Sequence, residues 1–227
     1  MAARRPTKTT ARPASPDLRR QGRATRARLL EAAVPALAEH GFHAARVDDV
    51  VRLAGVSHGT FYLYFSNKED LFRSLAEQCA DDAAVLAASL GEVPTGPDGH
   101  AALRAWLDEF FDFYRRYGVV IRAWAENQVL DRELARLGVA SFGRIADTLR
   151  HSIASAVLPG PTRSSKASRA AASADARVVQ LRADALLAMI ERFAYVVSSR
   201  DLGFDHDQMI DDLARLVHRG FFQPLAS

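Results

Sequence analysis

At 227 residues, with 48% hydrophobic and 25% charged residues, the chain has the size and composition of one large or two small folded domains. One cysteine, Cys79, excludes an intrachain disulfide framework and a multi-cysteine zinc site. No apolar run approaches the ~18 residues of a membrane helix, so no membrane partner and a cytoplasmic location are expected. The formal charge of +3 is uneven: residues 1–28 hold eight arginines and one lysine against Asp17 alone, leaving a net acidic remainder. A basic end on a mildly acidic body is the footprint of a protein that meets a polyanion with one end. The alternatives are a solvated tail and an organelle transit segment, and the second lacks the amphipathic apolar face such segments need.

Residues 1–18, with Pro6, Pro13 and Pro16 among Arg, Thr and Ala, are too polar and interrupted to pack and read as a flexible arm. A helix is expected from about Gly22 to His40, with Leu29, Leu30, Ala33, Val34 and Leu37 on one face and Gly41 at its exit. Pro35 removes a backbone donor and clashes with the preceding turn, which predicts a kink there. Val47, Val50, Val51 and Ala54 then recur at i, i+3, i+4 and i+7, one face of a short helix. Arg46 before it has no acceptor with which to cap it and is free to reach a phosphate instead. Gly55 can take the left-handed exit, and Ser57 is a good N-cap for a second helix. There Phe61 and Phe65 turn inward at i, i+4, while His58, Gly59, Tyr62 and Leu63 point outward. Helix, glycine turn and helix with a polar and aromatic outer face is the helix-turn-helix arrangement, whose second helix enters the DNA major groove. The same geometry also occurs in helical proteins that bind no nucleic acid. Ser66 and Glu69 form a capping box for a long helix toward Leu90, with Lys68 at a terminus that favours anions.

The wording of this stretch narrows the choice. Gly41-Phe42, Val47 to Leu53, Ala54-Gly55-Val56-Ser57, Gly59-Thr60, Phe61-Tyr62-Leu63-Tyr64-Phe65 and Lys68-Glu69-Asp70-Leu71 together resemble the DNA-binding region of the TetR family of one-component bacterial repressors. The match is ungapped over roughly residues 24–75; Arg46 stands where the family usually has Ser or Thr. The resemblance implies a basic arm over 1–18, a three-helix DNA-binding domain over 19–67, and a helical ligand-binding and dimerisation domain over 68–227. It also implies a homodimer on a palindromic double-stranded operator. His58, Thr60, Tyr62 and Leu63 would meet base edges, and Lys68, Tyr64 and Arg46 would meet phosphate. Tyr64 lies by spacing near Phe61, which predicts partial burial.

Past a linker over Gly91 to Gly99, aromatic residues crowd a helix from Leu103 to Tyr117, which Gly118 is expected to break. A shorter helix holds Ile121, Trp124 and Asn127. A further one, capped by Asp131, holds Leu134, Phe142 and Leu149. Residues 159–176, rich in Pro, Ser and Ala with no apolar face, read as a loop. Two helices, about Arg177 to Ser199 and His206 to Arg219, close the chain. No segment alternates like a strand, so the fold class is all-α.

Trp106, Phe110, Tyr114, Trp124 and Phe142 have the spacing of ordinary core and equally the chemistry of an apolar pocket wall. The resemblance implies the pocket, since the family houses an inducer among its middle helices, with Asn127 among the polar contacts. The last two helices are apolar on more than one face, as in a larger core or at an interface, and the resemblance implies a four-helix bundle with a partner subunit. The seven histidines show no H-E-x-x-H pair, and no G-x-S-x-G or phosphate loop occurs. Neither an enzyme nor a cofactor is expected. Asp205-His206-Asp207 reads as a helix cap more simply than as a metal site. The expected function is a repressor released from its operator by an apolar or amphipathic ligand of unknown identity. A helical protein-interaction module and an activator without an inducer are the alternatives.

Overall fold

In the computed structural model, residues 16–125, 132–158, 166–200 and 202–223 are described, and among them all regular structure is helical. In chain order the helices are α1 (Pro16–Ala44), α2 (Val47–Ala54), α3 (His58–Tyr62), α4 (Lys68–Ser89), α5 (Pro97–Ala125), α6 (Arg132–Val157), α7 (Lys166–Ser199) and α8 (His206–Phe221). Among the described residues no helix is long and apolar enough to cross a membrane. The chain divides into two compact units, Met1–Leu71 and Phe72–Ser227.

In the first unit α1 starts at Pro16, with proline in the first turn where its missing N–H costs nothing. Residues 1–15 of the expected arm lie outside the described residues, and its last three are helical. The kink expected at Pro35 is not there: the backbone stays helical through it, and the non-helical residue is Gly41 (φ 73, ψ 165). Pro35 sits on the exposed side of α1, and the carbonyl it orphans belongs to exposed Glu31, within reach of water. The inner side of α1 buries Leu29, Ala33 and Leu37, while α2 buries Val50 and Val51 and α3 buries Phe61.

In the second unit α5 packs against α8 and α6 against α7. Gly118 does not break α5, which runs unbroken to Ala125. A Cβ at Gly118 would stand 3.1 Å from the Tyr114 ring, so this glycine is space for an aromatic one turn earlier, not a helix stop. The region expected to be a loop up to residue 176 is helical from Lys166. Alanine-rich sequence needs no apolar face to be helical, because alanine has the best helix propensity; residues 159–165 lie outside the described residues. Gly99 admits a close approach: a Cβ there would lie 1.8 Å from the Pro94 carbonyl oxygen, which is also 3.0 Å from His218 Nε2. Asp205 caps α8, its Oδ1 accepting from the Gln208 N–H at 2.9 Å.

Candidate nucleic-acid interface

Two short helices joined by a sharp turn make the site, and local chemistry sets the turn. Gly55 ends α2 in the left-handed conformation (φ 63, ψ 39), while the Val56 N–H reaches back to the Val51 carbonyl at 3.1 Å. Ser57 begins α3, its Oγ accepting from the Thr60 N–H at 3.1 Å and lying 3.0 Å from Thr60 Oγ1. Arg46 caps α2 with backbone only. Its side chain makes no capping bond, but its N–H donates to Asp49 Oδ2 at 3.2 Å. That bond, above all, holds the Asp49 carboxyl below the usual carboxylate range, with Arg52 and His40 helping against burial.

The split between the two sides of α3 is sharp. Phe61 and Phe65 are 0% and 2% exposed with ring centroids 5.7 Å apart, whereas Tyr62 and Leu63 are 57% and 80% exposed. His58 is exposed and its Nε2 meets Asp48 Oδ1, a side chain from α2. Thr60 is half-buried and engaged with the cap. Tyr64 is half-buried, its hydroxyl alongside Gly22 of α1. Arg46 is exposed. Of the expected base-reading set, His58, Tyr62 and Leu63 therefore share one accessible face, and Thr60 lies beside it.

Lys68 is placed differently from the expectation of phosphate contact. Its Nζ donates to the carbonyls of Phe42 (3.0 Å), His43 (2.8 Å) and Ala45 (3.2 Å), and it stands 5.3 Å over the Phe42 ring. An ammonium has three protons, and all three are engaged. They satisfy carbonyls at and beyond the end of α1 that no helix bond serves, at the terminus where a cation is favoured. The cap of α4 is also one residue later than Ser66-Glu69. Asn67 Oδ1 accepts from the Asp70 N–H at 2.8 Å, and Asp70 Oδ2 accepts from the Ser66 N–H at 2.9 Å and hydroxyl at 3.0 Å.

The residues expected to hold a ligand separate into two groups. Trp106, Phe110 and Tyr114 are 3%, 3% and 1% exposed and stack in sequence along α5. Trp106 donates its indole N–H to the Leu86 carbonyl at 3.0 Å, and Tyr114 its hydroxyl to Glu191 Oε1 at 3.2 Å. Burial, then Glu191, pushes the Tyr114 phenol up. Trp124 and Phe142 are half-buried, 6.5 Å apart and edge-on. The buried indole N–H of Trp124 has no partner among the described residues. Asn127 lies outside the described residues. Cys79 is fully buried, which raises its thiol and keeps it protonated, as a packed cysteine would be.

Along α7 and α8, an open apolar groove of about 590 Å³ is lined by Met189, Phe193, Phe204, Met209, Leu213 and Leu216. Leu216 is 57% and Phe204 62% exposed. Leu181, also on α7, is 70% exposed.

Residues 29–75 match the family described as bacterial regulatory proteins, tetR family. A curated relative, the HTH-type transcriptional repressor SCO4008 of Streptomyces coelicolor, is 33% identical over 103 residues, 45% of this chain and 49% of the relative. The chain thus spans about half the length of that relative. Among solved structures, the TetR family transcriptional regulator PfmR of Thermus thermophilus superposes with a TM-score of 0.61 at 20% identity, covering 85% of this chain and 98% of its own. The transcriptional regulator FadR of Bacillus subtilis, solved in complex with stearoyl-CoA, gives 0.55 at 19% identity, covering 84% and 96%. The fold is therefore that of TetR-like regulators along most of the chain.

Proposed function

Because residues 29–75 of this chain match the tetR family of bacterial regulatory proteins, we propose that the chain is a transcriptional regulator that reads a specific DNA sequence. The observation that carries this reading is the division of α3, with two phenylalanines buried beneath it and a largely exposed tyrosine and leucine above. A buried inner face makes the helix rigid, and the outer face offers an aromatic hydroxyl and an apolar contact for base edges and thymine methyls. In this reading His58, Thr60, Tyr62 and Leu63 meet bases while Arg46 and Tyr64 meet phosphate. Lys68 is left out of the contact set, because its protons already serve α1.

The regulator acts as a homodimer. The open apolar groove of α7 and α8 supports this, since an exposed patch of this kind marks an interaction surface, and two copies match a palindrome's two half-sites. A small apolar or amphipathic effector releases it. The half-buried Trp124–Phe142 pair, whose indole N–H has no partner among the described residues, supports a site of mixed apolar and polar character. A long acyl group fits that character, as in the stearoyl-CoA complex of the B. subtilis regulator. The effector acts by binding the DNA-incompetent arrangement more tightly than the competent one; a coupling of about 1–3 kcal/mol loosens DNA binding roughly 5- to 150-fold.

Selection of the purified protein on randomised duplex DNA, followed by sequencing of the retained fraction, tests the reading. A palindromic consensus supports it. Retention without a consensus, or none even at low salt, would leave a helical protein-interaction module as the better account.

A further inference from the structure

The contact between Asp48 and His58 joins α2 to α3 across the outer surface of the helix-turn-helix, ten residues apart in sequence. Both side chains are solvent-accessible, at 55% for His58 and 70% for Asp48. Neither is required by the turn. The cap of α3 is Ser57, and the N3 carboxylate that serves the start of α2 is Asp49, engaged by the Arg46 N–H and by Arg52. His58 and Asp48 are thus committed to each other on the face that carries Tyr62 and Leu63.

An ionised carboxylate only accepts hydrogen bonds. The imidazole nitrogen facing it, Nε2, must therefore carry the hydrogen, and in a neutral ring the other nitrogen, Nδ1, is then an acceptor. A histidine without such a partner presents either nitrogen in either state; one held by a carboxylate has its tautomer and ring orientation chosen for it. In the major groove the base atoms that can donate to an acceptor are the amino groups of adenine and cytosine, N6 and N4. Guanine offers only acceptors there, and thymine an acceptor and a methyl.

Resting on the reading of α3 as the DNA-reading helix, we propose that Asp48 is a positioning residue for base selection: it fixes His58 as an Nδ1 acceptor that prefers adenine or cytosine at one position of each half-site. Asp48 itself touches no base in this scheme. The size of the preference is that of one net hydrogen bond, about fivefold.

Two measurements test it. In the free protein at pH 8.5, above the range of about pH 5 to 8 in which imidazoles change charge, ring nitrogen chemical shifts should show His58 in the Nε2–H form. Asp48→Ala should return it toward a mixture. A dominant Nδ1–H form in the wild type overturns the proposal whether or not the chain binds DNA. On randomised duplexes at the same pH, the wild type should favour adenine or cytosine at one position per half-site. Asp48→Ala and His58→Ala should both lose that preference while keeping the rest of the consensus. Guanine at that position, or an unchanged preference in folded Asp48→Ala, overturns it. A wild type that selects no consensus at all removes the reading of α3 instead, and the nitrogen shifts still decide the tautomer.

Discussion

The turn between α2 and α3 and the aromatic row of α5 show how differently two helical regions encode their purpose. Around α3 each residue's fate is set within a few positions: Gly55 exits, Ser57 caps, Phe61 and Phe65 go inward, Tyr62 and Leu63 stay out. Along α5 the residues that look most like a ligand wall, Trp106, Phe110 and Tyr114, are buried and have their polar atoms matched inside the protein. In the first region the exposure of large side chains is what the proposed DNA-reading face rests on. In the second, aromatic density marks packing, and the more informative signal is the indole N–H of Trp124, unmatched among the described residues.

Truncating the core of each region should have the largest effect. Phe61→Ala and Trp106→Ala should each destabilise by about 3–5 kcal/mol, the cost of emptying a large buried aromatic site, as read by denaturant unfolding. A Trp106→Ala protein with wild-type stability would return that residue to the pocket wall. Next comes Lys68→Met, which keeps the stem but removes three hydrogen bonds to carbonyls. A loss of about 1–3 kcal/mol is expected, since bonds to a charged group are the stronger kind. DNA affinity should fall for all sequences alike, yet its salt slope should not change. A slope shallower by about one unit would put the ammonium on a phosphate after all. Gly55→Ala should cost about 1 kcal/mol through left-handed strain, with the DNA consensus preserved.

The smallest effect is one of pH. Asp49 has its carboxyl held low by the Arg46 N–H, aided by Arg52 and His40. A depressed carboxyl adds stability above its ordinary range and loses it as pH falls through the lowered value. Asp49→Asn should therefore be less stable than wild type at neutral pH, and the two unfolding midpoints should converge once the pH falls below that lowered value. Curves that stay parallel down to that pH would mean the carboxylate's charge is not what matters.

The same contrast explains what can be read from the residues alone. Gly41, Gly55 and Ser57 are legible because their partners lie within five residues. The cap of α4 reads one residue too early, because Ser66 and Asn67 can both cap and the choice depends on where Asp70 reaches. The role of Lys68 is not legible, since its acceptors lie 23 to 26 residues upstream. Asp48 escapes notice as the partner of His58 for the same reason, ten residues away. Gly118 misleads because a glycine read alone does not distinguish a stop from room for a ring, and only Tyr114 lying over it decides.

In the proposed reading the outer face of α3 serves DNA and the inner face serves folding. Paired measurement of Tyr62→Ala and Leu63→Ala tests it most directly, with thermal unfolding and affinity for the selected duplex read on the same samples. Both side chains are largely exposed, so unfolding should shift by no more than about 0.5 kcal/mol, while each loss of a base contact should weaken binding by about 1–3 kcal/mol and relax one position of the consensus. Variants that keep wild-type affinity and consensus, or that unfold early, would contradict the account.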